Sequence, residues 1–500
     1  MKAVQDFGSH TTADRKAFIF AKNNEVWTWE RLTSEVNHLA NGLIGLGIQQ
    51  GDRVALHMAN LPELVVSYLA CFQVGAIAVP LNIRLKKAEL EPLLRRLRPS
   101  LYIGQAALYS QIACVEASIL AANRRFLVDG PANDRRAQPW SNLLGDTNGA
   151  PVRRTIDPHA PAVLLTTSGT TGQPKFVTHT LATLRKMAQS FAHWDLDIDQ
   201  TAAVALPMVH ASGCFTVLAC LWSGVPFVLF ERFDPDNVLD GIESHHCTWL
   251  AGLPFMFGAL LRSQQARARK CDSLRSCLTG GDVCPPQLQE QFSSAFGVPL
   301  RSVWAATEAC VCLTYGLEPG PVHRAVIGTE IRLVNDHDAP VATDEIGELV
   351  LRGPTLSIGY WAGPGLIEGA PKDGWFYTGD LMRQDEKGNL WFVSRKKNLI
   401  IRGGSNISPI EVEQVLTSHP AVQDAAVIGV PDSDLGERVA GFIQVRHADP
   451  QSVNLKDIRS YLAEQLADYK IPEQLKIVSE IPRNALGKID RKALTSLHSN

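Results

Sequence analysis

Apolar and polar positions along the chain alternate between two rhythms. Short apolar runs recur as VALHM from 54, AIAVPL from 76, AVLLTT from 162, AVALP from 203 and PFVLF from 226, and each has the length and residue types of a strand. Between them lie longer stretches with apolar residues three and four apart. This spacing predicts helices over Trp29 to Leu46 and over Pro62 to Val74, the second opening with proline at a first-turn position. Strands that alternate with helices in this way imply parallel sheets covered by helices. From Glu330 onward the rhythm changes to hairpins, EIRLVNDHDAPV and LMRQDEKGNLWFVS, with DEKGN supplying a turn. A β-rich subdomain is expected there.

A second unit begins where the strand-like WFVSR gives way to NLIIRGGSNISPIEVEQVL. Ser408 is placed to cap a helix, Pro409 to occupy its first turn, and Glu411 to close a capping box. The boundaries are 1–396 for the first domain and 397–500 for the second. The expected fold class is α/β: a large N-terminal domain of helix-covered sheets with a β-rich subdomain, followed by a small α+β C-terminal domain. A chain of 500 residues is too long for one core, since single cores stop growing near ~250 to 300 residues, and two or more units fit that bound.

Composition excludes several roles. With 45% hydrophobic and 20% charged residues the chain has the make-up of a folded globular protein. Its 48 basic residues nearly balance 51 acidic ones, so there is no electrostatic footprint for nucleic acid or an anionic membrane. The apolar stretches Leu64 to Ile83 and Gly213 to Phe230 approach membrane-spanning length, but Gln73, Pro80, Ser223, Gly224 and Pro226 interrupt them, and no integral membrane association is expected. Ten scattered cysteines without zinc-site spacing read as reduced thiols, which places the chain in the cytoplasm. The N-terminal MKAVQDFGSHTTADRK lacks the apolar core of a signal peptide.

The strongest chemical signal is TTSGTTGQPK, Thr166 to Lys175, directly after an apolar strand. Hydroxyls and glycines packed this closely suit a loop that wraps phosphate oxygens with backbone N–H groups and hydroxyl donors. A Walker loop is disfavoured, because Pro174 precedes Lys175 and Phe176 follows it.

At this loop the chain resembles the adenylate-forming superfamily, and the resemblance runs through PMVHASGCF, LTGGDVCPP, WAATEA, WFYTGD, SRKKNLIIRGGSNISPIEVE and PRNALGKIDRKAL in order. It implies an acyl-CoA synthetase that uses a small-molecule carboxylic acid, ATP with Mg2+, and coenzyme A, and whose C-terminal domain is mobile. Thr167, Ser168, Gly169, Thr170, Thr171, Gly172 and Lys175 would hold the β- and γ-phosphates. Thr307 would bind the α-phosphate and Glu308 the Mg2+ ion. Trp304 would stack on adenine, Asp380 and Arg395 would bind the ribose, and Gly280 and Gly281 would keep the cleft between adenine and acyl group open. His210 matches a position beside the acyl group and α-phosphate. Lys488 would reach the carboxylate and α-phosphate during adenylation, Lys397 would be the hinge, and Gly403, Gly404 and Ser405 would line the pantetheine channel after domain rotation.

No acidic residue lies between Pro207 and Phe230, which argues against an amino acid substrate. Phe215, Phe255, Met256, Ala306 and Cys310 are candidates for an apolar acyl pocket, suited to aryl or medium aliphatic acids. Asp282 is expected at the surface, and Arg483, Arg491 and Lys492 are expected to be solvated. Two alternatives stay open: an adenylation enzyme that loads a separate carrier protein, and a non-catalytic nucleotide- and acyl-binding relative. The chain is expected to be a monomer or homodimer.

Overall fold

The computed structural model of the chain describes residues 12–499 except 131–136, 146–149, 153, 168–173, 198, 317, 404, 433, 447–452 and 485–486. The apolar runs form strands where the pattern places them: Arg53–His57, Ile77–Pro80, Pro161–Thr167, Ala202–Val204 and Phe227–Leu229. The helix Trp29–Gly45 buries Leu32, Val36, Leu39, Ala40 and Leu43, one stripe at helical spacing, and Thr28 caps it by accepting from the Arg31 amide. Helix Pro62–Val74 is buried on nearly every side, and Gly75, at a φ of 78°, ends it in the left-handed conformation that glycine adopts freely. The two long apolar stretches resolve into helix and strand pairs, and no helix among the described residues is long and apolar enough to cross a membrane.

The strands assemble into four sheets. One has seven strands, with Ala202–Val204, Trp249–Gly252, Ser276–Gly280 and Leu300–Val303 running parallel out to one edge. A nine-stranded sheet carries Pro161–Thr167 and Lys175–Thr180 as an antiparallel pair beside the parallel Ile77–Pro80 and Arg53–His57. Helices Pro62–Val74 and Ala211–Ser223 contribute to one continuous apolar core with strands of both sheets. Asn60 joins the two sheets: its side-chain N–H group donates to the Leu206 and Phe230 carbonyls at 2.9 and 3.1 Å, and its oxygen accepts from the Met208 amide at 2.7 Å.

The hairpin-rich region forms a six-stranded antiparallel sheet, in which Phe376–Gln384 and Leu390–Arg395 pair around the expected turn. Beyond it a short turn of 3-10 helix, Lys396–Asn398, leads into a five-stranded sheet made wholly of later residues, with its own apolar clusters. Ser408 caps helix Pro409–Ser418 as expected, accepting from the Glu411 amide. The reciprocal half of the capping box is not made. The Glu411 carboxylate instead holds the Lys470 ammonium at 2.7 and 2.8 Å, because a full opposite charge outcompetes an amide donor. Nor are all the distal cations solvated: Arg491 binds the half-buried Glu413 carboxylate at 2.7 Å and Arg483 binds Asp424 at 2.6 Å.

Candidate active site

Loops at the strand ends of the first two sheets, the antiparallel sheet and the C-terminal unit surround one cavity of about 1270 Å³. Thr166, Thr167 and Lys175 reach it from the hairpin whose tip carries the hydroxyl-rich loop. Ser168, Gly169, Thr170, Thr171 and Gly172 lie outside the described residues. Lys175 rests over the Tyr360 ring, 4.5 Å from its centroid, an arrangement that favours the cation on a π face.

Thr307 and Glu308 occupy a tight turn closed by reciprocal backbone bonds between Ala306 and Ala309, at 2.9 and 3.1 Å. Two side chains fix this turn. Nε2 of His179 lies 2.8 Å from the Thr307 carbonyl and therefore donates to it, while the Tyr360 hydroxyl donates to Oε1 of Glu308 at 2.9 Å. Burial pushes the His179 pKa down to about 4, so its ring is neutral near pH 7. Neither residue was singled out from the sequence. Strand alternation did carry a signal for one, since Lys175 and His179 are four apart in Lys175–Thr180 and share a face.

Asp380 and Arg395 are cross-strand partners in the hairpin, with Nε of Arg395 3.0 Å from Oδ1 of the almost fully buried Asp380. Burial pushes the Asp380 carboxyl up, against the pull of the Arg395 guanidinium and the Trp304 indole. Trp304 departs from expectation. Its side chain is 6% exposed and is not part of the cavity wall, and its indole N–H donates to Oδ2 of Asp380 at 2.8 Å. A buried indole needs an acceptor, and the buried carboxylate provides one, so the ring turns into the antiparallel sheet's core rather than out to stack on a base.

Gly280 and Gly281 line the cavity, but their immediate constraint comes from the protein itself. A Cβ on Gly280 would lie 2.7 Å from the Val303 carbonyl oxygen of the next strand, and Gly281 has a φ of 79°. His210 precedes helix Ala211–Ser223 and faces the cavity, with its pKa pushed down to about 4 by burial and then by the nearby Arg84 and Lys488 cations. Phe215, Phe255, Met256, Ala306 and Cys310 all contribute to the wall, together with Phe191 and Trp194.

The C-terminal unit supplies Lys488. Its amide donates to Oδ1 of Asn484 at 3.2 Å, and a tight turn through Gly487 brings the side chain into the cavity opposite His210 and Asp380. Burial lowers its pKa, as does the Arg395 charge, while Asp282 and Asp380 act the other way. Asp282 itself is exposed, as expected. Lys397 also lines the cavity. Gly403 does not: it turns between two strands, its amide bonded to the Leu435 carbonyl at 2.8 Å, and Gly404 lies outside the described residues.

Among the described residues no group of three or more His, Cys, Asp or Glu side chains is arranged to hold a metal ion alone. Glu308 nevertheless fits a hard divalent cation shared with phosphate oxygens, since Tyr360 orients its carboxylate through one oxygen only, at the cavity wall.

The description AMP-binding enzyme matches residues 6–361, and AMP-binding enzyme C-terminal domain matches residues 411–488. Over 472 residues the chain is 33% identical to a feruloyl-CoA synthase of an Amycolatopsis species, covering 92% of each protein. Over 483 residues it is 31% identical to the medium-chain fatty-acid–CoA ligase of Escherichia coli K12, covering 93% of this chain and 84% of that one. The crystal structure of the anthranilate CoA ligase AuaEII in complex with anthranoyl-AMP superposes with a TM-score of 0.87 at 26% identity, over 99% of this chain and 96% of that one.

Proposed function

This chain belongs to the AMP-binding enzyme family and is an ATP-dependent acyl-CoA ligase, and from that premise we propose how its residues divide the work. The reaction has two halves. A carboxylate oxygen bonds to the α-phosphorus of ATP as the bond to the bridging oxygen breaks and pyrophosphate leaves. The thiol of coenzyme A then attacks the acyl carbonyl, the carbon–oxygen bond to phosphate breaks, and AMP departs.

In the first half Thr167 and Lys175, with the rest of the hydroxyl-rich loop, hold the β- and γ-phosphates. Thr307 takes the α-phosphate. Glu308 would hold Mg2+, which when bound compensates phosphate charge. Asp380 and Arg395 face the ribose. Lys488 neutralises the charge that builds between carboxylate and α-phosphate, and the enclosed cavity strengthens that interaction. Neutral His210 offers a hydrogen bond beside the reacting acyl group. In the second half the unit 397–500 rotates about Lys397, withdrawing Lys488 and bringing Gly403 and Gly404 to the pantetheine arm.

The observation that carries this reading is convergence. Lys175, Thr307, Glu308, Asp380 and Lys488 come from four separate stretches of sequence and line one cavity. For the acid we propose an uncharged apolar chain or ring, supported by Phe191, Trp194, Phe215 and Cys310 in the wall. Cysteine usage supports a cytoplasmic enzyme, and monomer or homodimer are the states to distinguish.

The test is pyrophosphate–ATP exchange and AMP release with hexanoate, octanoate, benzoate and ferulate. Acid-dependent exchange is expected, with thioester formed on coenzyme A in preference to a phosphopantetheinylated carrier protein. Absence of exchange with all four acids would overturn the proposed acid class, and equal rates on the carrier protein would overturn the choice of acceptor.

A further inference from the structure

Helix Pro254–Ala266 begins with an apolar residue that its own unit leaves uncovered. Phe255, the second residue of the helix, is 41% exposed, whereas Met256 and Phe257 beside it are 3% and 0% exposed. Its ring meets Phe233 edge to face, with centroids 6.1 Å apart and planes at 85°. The C-terminal unit touches this aromatic pair at Gly487. A Cβ on Gly487 would lie 2.6 Å from Cε1 and 3.1 Å from Cδ1 of Phe255, so the ring edge lies against the glycine backbone. Gly487 has a φ of 77°, a conformation in which any other residue is strained.

The next residue is Lys488. Its turn is held from within by Asn484, which bonds both Gly487 and Lys488, and by Arg483, which donates to the Gly487 carbonyl at 3.1 Å. Gly487 and Lys488 are thus each tied to Asn484, and the glycine presents a face without a side chain. Where that face rests sets how far the lysine reaches into the cavity.

We propose that Phe255 is the seat for this turn: a positioning residue that fixes Lys488 for adenylation and loses its partner when the C-terminal unit rotates for thioester formation. This rests on the reading of Lys488 as the adenylation lysine. Two features support a seat over a second wall for the acid. Phe255 contacts the one residue beside Lys488 that has no side chain, and the contact joins two units that must separate between half-reactions. An exposed aromatic ring suits a contact made and broken in every cycle, because its free state is tolerated in water.

The experiment uses the full chain and, among hexanoate, octanoate, benzoate and ferulate, the acid turned over fastest. Phe255→Ala, Phe255→Tyr, Gly487→Ala, the Phe255→Ala and Gly487→Ala double variant, and Lys488→Ala are each assayed twice: for pyrophosphate–ATP exchange at saturating acid, and for thioester formation from supplied acyl adenylate. Phe255→Ala is expected to lower exchange about tenfold more than it lowers transfer, and Phe255→Tyr to restore exchange. Gly487→Ala should give the same split. The double variant should be no worse than Gly487→Ala alone, because the clash disappears with the ring.

Equal loss in both assays would overturn the seat, as would additive losses in the double variant. A raised KM for the acid with the saturated rate intact would assign Phe255 to the acyl pocket and overturn it too. Lys488→Ala separates the two readings. If it leaves exchange intact, the assignment of Lys488 fails; if it abolishes exchange while Phe255→Ala does not lower it, the seat alone fails.

Discussion

The Tyr360 hydroxyl donates to Oε1 of Glu308 at 2.9 Å, and the same ring carries the Lys175 ammonium on its face. One side chain thus orients both the carboxylate proposed for Mg2+ and the lysine proposed for the terminal phosphates. Tyr360→Phe keeps the ring and removes the donor. A hydrogen bond to a charged group contributes about 1.5 to 3 kcal/mol, so a rise of roughly tenfold in the KM for MgATP is expected, with a higher Mg2+ requirement at fixed ATP. Superimposable Mg2+ titrations for the variant and the native enzyme would remove Tyr360 from this role.

Asn60 predicts a loss of stability rather than of chemistry. Its amide satisfies two buried carbonyls and one buried N–H group drawn from two neighbouring segments, Leu206 to Met208 and Phe230. Asn60→Ala leaves all three without their partner and opens a small void. Each unsatisfied buried group costs about 1 to 3 kcal/mol, so a destabilisation of about 3 to 5 kcal/mol is expected after partial relaxation. Urea denaturation checks it. A midpoint shift worth under ~1 kcal/mol would mean that other donors take over.

How much of this was legible in the sequence depends on how far apart the interacting residues lie. Strands and helices followed from local rhythm, and so did the hairpin turn DEKGN; the pairing of Asp380 with Arg395 across that hairpin is visible only in the structure. Motif order groups Lys175, Thr307, Glu308, Asp380 and Lys488 as one expected site, and all five line one cavity. Contacts between distant segments leave no such trace. Tyr360 and Glu308 are 52 positions apart, and His179 and Thr307 are 128 apart. Trp304 was misread for a related reason: its motif suggests a ring facing a base, while its N–H found a buried carboxylate 76 positions away. Glu411 likewise left its local capping partner for Lys470, 59 positions on. Local pattern proposes partners within a turn or a strand, and tertiary packing offers stronger ones.

Buried histidines make stability fall in mild acid. Burial pushes His57 and His179 down to about 4 and His323 down to about 3. In the unfolded chain each titrates near ~6.5, so between these values the unfolded state binds more protons. Their stabilising contribution is complete above about 6.5 and is lost as pH falls through 4, on the order of 3 kcal/mol for each. Glu413 acts in the opposite sense over the same window, since burial pushes it up to about 7 against the pull of Arg491. His210, also held down to about 4, adds to the loss, and Asp380, pushed up by burial, acts with Glu413, so four histidines outweigh two carboxyls and stability falls on acidification. Denaturation midpoints are expected to be similar at pH 7.5 and 7.0 and clearly lower at pH 5.0. A midpoint at pH 5.0 equal to that at pH 7.0 would contradict the burial of these rings as neutral species.

The last prediction concerns the proposed hinge. Lys397 is the middle residue of the 3-10 turn Lys396–Asn398, a conformation whose φ of roughly −60° proline also adopts. The φ of Lys397→Pro suits the arrangement in which Lys488 lines the cavity, at a modest cost at the helical Lys396, and adenylation measured by pyrophosphate–ATP exchange should stay within about threefold of native. Rotation of the small unit requires large dihedral changes at a few residues, and proline fixes one of them while restricting Lys396 before it. Thioester formation from supplied acyl adenylate is expected to slow at least tenfold. This split runs opposite to that expected of Phe255→Ala, so the two variants together distinguish docking of the lysine from rotation of the unit that bears it. Parallel loss of both half-reactions in Lys397→Pro would place the hinge elsewhere.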